Sequence, residues 1–213
     1  WDTTSTKKIN NVSTNYQQED LFRALVLGVR DYANKCHFNS TLVGLSGGID
    51  SAIVAIIAAA ALGPEQLTSL LMPSPWSSEG SIKDALALSN RIGARAITLP
   101  IDNLMKTFDG TLRESIGASP KGITAENLQS RIRGTLLMAL ANQEGHLLLA
   151  TGNKSELAVG YCTLYGDMNG GLAVIGDLYK TEVFELCEWL DSNDAKGCRA
   201  EMGLPASGAL IGK

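Results

Sequence analysis

Apolar positions along the chain alternate between helical and strand-like spacing. From Glu19, the residues Phe22, Leu25, Val26, Val29, Tyr32, Ala33 and Cys36 recur at i, i+3, i+4 and i+7 behind an acidic front, which predicts an amphipathic helix. The first eighteen residues are polar and read as a linker or flexible arm. Thr41 to Leu45 is a short buried-strand pattern, followed by a glycine turn and an apolar run from Ser51 to Leu62 whose alanines favour helix. The alternation then repeats. Leu67 to Leu71 reads as a strand, Glu79 to Ile92 as a helix, Ala94 to Leu99 as a strand and Asp102 to Ile116 as a helix. After a turn at Ser119 to Gly122, Thr124 reads as an N-cap, with Ile123 and Leu128 as a hydrophobic staple, for a long helix to about Gln143. Leu147 to Ala150 is a fourth strand and Tyr179 to Leu190 a final helix. Strands separated by helices of this length predict an α/β fold, a parallel twisted sheet with helices on both faces and the ligand at the carboxyl ends of the strands.

Composition narrows the function classes. The 213 residues suffice for one sizeable core, and at 45% hydrophobic and 19% charged the chain is neither disordered nor collagen-like. Its longest apolar run, Ala52 to Leu62, falls well short of the ~20 residues that span a bilayer. No membrane association is expected, and Lys7 and Lys8 precede no apolar signal core. A net charge of −4 without any basic run argues against nucleic acid as a partner. Cys36, Cys162, Cys187 and Cys198 form no CxxC pair. Cys36 and Cys187 fall in helical apolar patterns and are expected as buried reduced thiols, which suits a cytoplasmic protein.

The candidate chemistry lies in Thr41-Leu-Val-Gly-Leu-Ser-Gly-Gly-Ile-Asp-Ser51. Here Gly47 and Gly48 separate a buried strand from a helix N-terminus, where unpaired N–H groups and the helix dipole attract an anion. Ser46 and Ser51 can donate to phosphate oxygens. Asp50 would repel phosphate unless a cation lay between them, and Mg2+ is the natural one. A Walker A loop is excluded because Ile49, not lysine, follows Gly48. Gly44-Leu-Ser46-Gly-Gly48 also satisfies GxSxG, the nucleophile elbow of α/β-hydrolases. That chemistry needs a histidine after the serine, and His146 opens the fourth strand at the end away from the turn, while His37 precedes it. A non-catalytic adenine-nucleotide-binding module is a further alternative.

Ser46-Gly-Gly-Ile-Asp-Ser51 resembles the SGGxDS signature of the ATP pyrophosphatase superfamily, whose members cleave ATP between the α and β phosphates and adenylate a substrate oxygen. Six further blocks look like the synthetase domain of glutamine-dependent NAD synthetases. They are Ala24 to Tyr32, Met72 to Ser78, Glu126 to Arg133, Ala150 to Glu156, Gly160 to Asp167 and Gly176 to Val183. The resemblance implies an adenine nucleotide alpha hydrolase-like, Rossmann-like fold over 19–213, a piece of a larger chain. It implies amidation of deamido-NAD to NAD through an acyl-adenylate, with ATP as co-substrate and AMP and pyrophosphate as products. Ammonia would come from glutamine through an amidotransferase domain of the same chain, and relatives form homo-oligomers. Another SGGxDS adenylating amidase or ligase is the alternative within the superfamily.

On this resemblance Gly44, Ser46, Gly47, Gly48, Asp50, Ser51, Met72, Thr151 and Lys180 would bind ATP, and Asn127, Arg131, Glu156, Tyr165 and Asp167 the second substrate. Asp50 and Glu156 would hold Mg2+ and serve catalysis. Asn127 and Arg131, four residues apart, share a helix face distinct from the apolar stripe of Leu128, Ile132, Leu136 and Ala139, whereas Arg133 points elsewhere. One departure is visible: Pro75-Trp76 stands where many relatives carry Arg-Tyr, so one phosphate contact is not carried over. A C-terminal stretch used near the substrate is expected beyond Lys213.

Overall fold

A computed structural model describes residues 14–212. Helix α1 (Thr14–Lys35) precedes β1 (Thr41–Gly44), α2 (Ile49–Leu62), a single 3-10 turn (Pro64–Gln66) and β2 (Leu67–Leu71). Next come α3 (Glu79–Ile92), β3 (Arg95–Thr98), α4 (Asp102–Ile116), α5 (Ile123–Glu144) and β4 (Leu147–Ala150). The chain continues through α6 (Lys154–Val159), β5 (Leu172–Ala173), α7 (Lys180–Asp191) and α8 (Lys196–Glu201). The strands form one sheet in the order β3-β2-β1-β4-β5, and every pairing is parallel. The chain runs outward from β1 to β3 and then returns to place β4 on the other side of β1. That reversal opens a crevice between the carboxyl ends of β1 and β4, where ligands bind in open α/β sheets.

Strand alternation divides the core in two. Val43, Leu67, Leu71, Leu147 and Leu149 face the layer of α1, α2, α3 and α7, and Leu42, Leu70 and Leu148 face α5 with Ile101 and Ile132. Both faces of the sheet are therefore covered, as the pattern predicts. Helix α2 is buried along Ser51–Ala61, all round rather than on one stripe, which is why its small alanines suit a position between β1 and the outer helices. Each fully buried leucine or isoleucine in these layers contributes roughly 1.5–3 kcal/mol. On the outer layer Phe22 of α1 meets Trp189 of α7 with ring centroids 6.0 Å apart.

Several local expectations are corrected. The helix α1 begins at Thr14, inside the stretch read as an arm, and residues 1–13 of that arm lie outside the described residues. Helix α5 is entered from Gly122, not capped by Thr124, and Ile123 is 72% exposed, so no staple forms with Leu128. Gly122, at φ 53, makes a turn sharp enough to start the helix two residues early. Cys36 is exposed because it lies one residue past the end of α1, in the turn. Tyr179 caps α7 rather than opening it, and α8 follows what was read as the final helix. Among the described residues no helix is long and apolar enough to cross a membrane.

Candidate active site

The ladder from β1 ends with the Leu45 N–H on the Leu70 carbonyl at 2.9 Å, and the chain then turns into α2. Gly47 takes φ +82, and a Cβ there would lie 2.3 Å from the Ser81 carbonyl oxygen of α3. Only glycine supplies both the left-handed backbone and the clearance. The hydroxyls expected to face phosphate are tied into the turn. Ser51, 3% exposed, donates to the Gly48 carbonyl at 3.0 Å and accepts the Ser46 N–H at 3.2 Å. The Ser46 and Ser51 hydroxyls are 3.0 Å apart, and the Gly48 N–H donates to Ser46 Oγ at 3.2 Å. Ser46 itself is exposed and lines the crevice, whereas Ser51 holds the turn's shape from beneath. Gly48 is the N-cap of α2, and no side chain caps that end, so an anion can take the cap's place.

Asp50, in the first turn of α2, is held by two groups from distant segments. Lys180 Nζ donates to its Oδ2, and Asn153 Nδ2 donates to its Oδ1 at 3.0 Å. Asn153 is 1% exposed and belongs to a capping box: its Oδ1 accepts the Glu156 N–H at 3.0 Å while Glu156 Oε2 accepts the Asn153 N–H at 3.0 Å. One asparagine thereby fixes the Asp50 carboxylate of α2 to the start of α6 and orients Glu156. Sequence reasoning missed Asn153 as a site residue, although N-x-x-E is a capping-box spacing that was there to be read. Asp50 and Glu156 line one cavity of about 220 Å3 with Ser46, Ser51, Thr151 and Asp167.

A larger cleft of about 940 Å3 opens beside it, lined by Gly44, Ser46, Met72, Thr151, Asn127 and Asp167 among others. Gly47, Gly48 and Lys180 line neither cavity, although Lys180 reaches Asp50, which lines the smaller one. Arg131 and Tyr165 are not brought to it. Arg131 is exposed and donates from Nε to the Leu164 carbonyl at 3.1 Å, and Tyr165 is 77% exposed with φ 63. Helix α5 instead braces the 163–167 loop. Thr163 Oγ1 donates to Asn127 Oδ1 at 2.9 Å, and the Asp167 N–H donates to Ser130 Oγ at 3.0 Å. Gly134 lets the loop approach so closely that a Cβ would lie 2.7 Å from the Gly166 carbonyl oxygen. Arg133, set aside from the sequence, lines the cleft and donates from Nε to the Met72 carbonyl at 3.2 Å.

The nucleophile-elbow alternative lacks its base. His146 Nδ1 is 2.6 Å from Ser40 Oγ, ahead of β1, and its Nε2 is 3.1 Å from Glu144. Ser46 lies beyond the other end of that strand. Nor is there a thiolate nucleophile in the core, since burial, with Asp191 adding repulsion, pushes the Cys187 thiol up to about 12.

A parallel sheet with an uncapped glycine turn at its reversal point, and a cation-held carboxylate one residue into the helix, defines a nucleotide-binding α/β domain. The family model described as NAD synthase matches residues 21–195, and the chain belongs to that family. A glutamine-dependent NAD(+) synthetase from Synechocystis sp. is 62% identical over 173 residues, which is 81% of this chain and 31% of that protein. Among solved structures, glutamine-dependent NAD+ synthetase from Acinetobacter baumannii in complex with adenosine diphosphate is 48% identical with a TM-score of 0.78. The match covers 80% of this chain and 32% of that one. NMN synthetase from Francisella tularensis is 27% identical with a TM-score of 0.76, over 91% of this chain and 76% of that one. The chain thus spans about a third of the length of the glutamine-dependent relatives it matches, 31% in the Synechocystis case.

Proposed function

We propose that this chain is the synthetase domain of an enzyme that amidates deamido-NAD to NAD, using ATP and releasing AMP and pyrophosphate. The observation that carries the reading is the Asp50, Asn153 and Lys180 cluster beneath an uncapped glycine turn, in a family whose 48% identical member is solved with ADP. The nicotinate carboxylate would attack the α-phosphate, pyrophosphate would leave, and ammonia would displace AMP from the acyl-adenylate. No protein nucleophile is needed, in keeping with the absence of a Ser–His couple at Ser46. The chain's contribution is positioning and charge neutralisation. The turn and the start of α2 present N–H groups to phosphate, Ser46 bounds it, and Thr151 and Met72 line the nucleotide's cleft. Lys180 neutralises Asp50 in the free site and supplies a cation beside the phosphates.

The donor set suits Mg2+, which takes one or two carboxylates and leaves its other positions to phosphate and water. Among the described residues no three of His, Cys, Asp and Glu gather into a protein cage, whereas Asp50 and Glu156 line one cavity. Those two carboxylates would hold the ion, and each keeps unbonded lone pairs for it. Bound there, Mg2+ supplies Lewis-acid neutralisation of charge on the phosphates. Asn127 and Asp167, at the cleft's rim, would meet the dinucleotide, with Arg131 and Tyr165 supporting the loop it passes. Ammonia would be delivered from glutamine by an amidotransferase domain elsewhere in the protein, which would work in the cytoplasm as a homo-oligomer.

The test is a balance sheet on the full-length protein. Deamido-NAD, ATP, Mg2+ and either ammonia or glutamine should yield AMP, pyrophosphate and NAD one for one. ATP binding without pyrophosphate release would reduce the domain to a nucleotide-binding module. Because a neighbour is named NMN synthetase, a parallel arm with nicotinic acid mononucleotide is run. Faster turnover of the mononucleotide would replace deamido-NAD as the substrate.

A further inference from the structure

Arg133 stands apart among the residues lining the large cleft. It is the one cationic side chain among the described residues that line it, alongside the carboxylates of Glu126 and Asp167. Neither acid pairs with it, and no ion pair to Arg133 is formed by any described residue. The side chain is half-buried, and desolvation draws its pKa below the usual arginine value. Its hydrogen bond is to a neutral group: Nε donates to the Met72 carbonyl at 3.2 Å, at the carboxyl end of β2. A guanidinium carries five N–H donors, so four remain on the two Nη groups of this cleft-lining residue. Holding an unpaired cation in a partly dehydrated wall costs free energy that a structural prop for one carbonyl does not require. An anionic ligand removes that cost and meets a planar, fixed fork. The sequence points the same way, because Pro75 leaves the β2 to α3 loop without a cation: Met72 to Ser78 contains no lysine or arginine.

Resting on the nucleotide reading above, we infer that Arg133 is the phosphate anchor of this cleft, with its Nη groups on phosphate oxygens of a bound nucleotide. The same phosphate chemistry is offered by the triphosphate of ATP and by the pyrophosphate bridge of the dinucleotide. Binding measurements on the full-length protein separate the two. Arg133→Met should raise the dissociation constant of either ATP or deamido-NAD about ten- to hundredfold, as expected for a lost charge-assisted hydrogen bond, and leave adenosine unchanged. The ligand that weakens identifies the phosphate held. Should the methionine variant not fold, Arg133→Lys is read instead, because a lysine keeps the charge but not the fork. It should weaken the same ligand at least about threefold, again sparing adenosine. Equal losses for adenosine, or no loss for either phosphate ligand, would overturn the inference. Wild-type protein that binds both ligands while the variants match it removes the Arg133 assignment alone. Wild-type protein that binds neither removes the nucleotide reading and this assignment with it.

Discussion

Replacing Gly47 and Gly48 separately by alanine distinguishes two glycines that look equivalent in the motif. At Gly47 the backbone sits at φ +82, which costs an alanine about 1–2 kcal/mol. The added Cβ would also lie 2.3 Å from the Ser81 carbonyl oxygen, a backbone atom in the first turn of α3 that cannot swing aside. Forcing such an overpacked contact apart costs typically ~1–3 kcal/mol, so Gly47→Ala should lose roughly 2–5 kcal/mol of stability. At ~2–4 °C per kcal/mol for a domain of this size, that is a fall in Tm of roughly 4–20 °C. Gly48 has φ −85, and its added Cβ would meet only Ser46 Oγ at 3.2 Å, the end of a side chain that can rotate. Gly48→Ala should cost about 1 kcal/mol or less, the size of a poorer N-cap. Thermal and urea unfolding of both variants measure the difference directly. Equal losses at the two positions would refute the claim that backbone conformation and the α3 contact, rather than general turn flexibility, require glycine at Gly47.

Four further outcomes rest on the structure. Asp50→Asn leaves Lys180 without its carboxylate and removes one of the two carboxylates proposed to hold Mg2+, so pyrophosphate formation by the full-length protein should fall more than tenfold while the fold survives. Activity within a factor of two would remove Asp50 from the machinery. Gly134→Ala would place a Cβ 2.5 Å from Asn169 Nδ2 and 2.7 Å from the Gly166 carbonyl, so it should detach the 163–169 loop, at a cost of ~1–3 kcal/mol. Faster hydrogen exchange confined to that loop is the expected readout, and exchange rates matching the wild type would contradict it. In native protein, iodoacetamide should label exposed Cys36 and Cys162 and spare buried Cys187 and Cys198. Because the Cys187 thiol is pushed up to about 12 when folded but ionises near ~8.5 when unfolded, only the unfolded state releases its proton in between. Stability is therefore complete below that lower value and falls as pH rises toward the upper one. Between pH ~8 and ~10.5 the urea midpoint of the wild type should drop further than that of Cys187→Ala, and parallel curves would show the thiol to be silent.

The layered sheet was legible because its signals are local. Leu67–Leu71, Glu79–Ile92 and Asp102–Ile116 begin and end where the apolar periods change, and Ser78 caps α3 through the Ser81 N–H at 3.0 Å. What escaped depends on partners far along the chain. β5 is two residues long and exists because Leu172 and Ala173 pair with Leu149 and Ala150, which no window of sequence around them announces. After α8, residues 210–212 are held by Asp191, whose carboxylate accepts the N–H groups of Leu210, Ile211 and Gly212 from about twenty residues away. Asn153 shows the same division within the site. Its capping role was readable from Glu156, three residues on, but its bond to Asp50 spans 103 positions.

Helix α5 shows why a correct periodicity can still leave open which arginine lines the cleft. The apolar stripe of Leu128, Ile132 and Leu136 does pack against the β-sheet's second core, so the buried face was read correctly. A buried stripe fixes one direction and leaves two flanks, and the sequence cannot say which flank meets the cleft and which meets a loop. At 100° per residue, Ile123, Glu126, Ser130, Arg133, Gly134 and Leu137 fall within a single arc, and all six line the cleft. Asn127 lies at the edge of that arc, and Arg131 lies one further step round, against Leu164. Gly134 decides between the flanks. Its missing side chain admits the Gly166 segment to within 2.7 Å of where a Cβ would be, and the loop then occupies the side that Arg131 faces. With that side filled, the cation left over the cleft is Arg133, and the small residue rather than the charged one sets which arginine lines it.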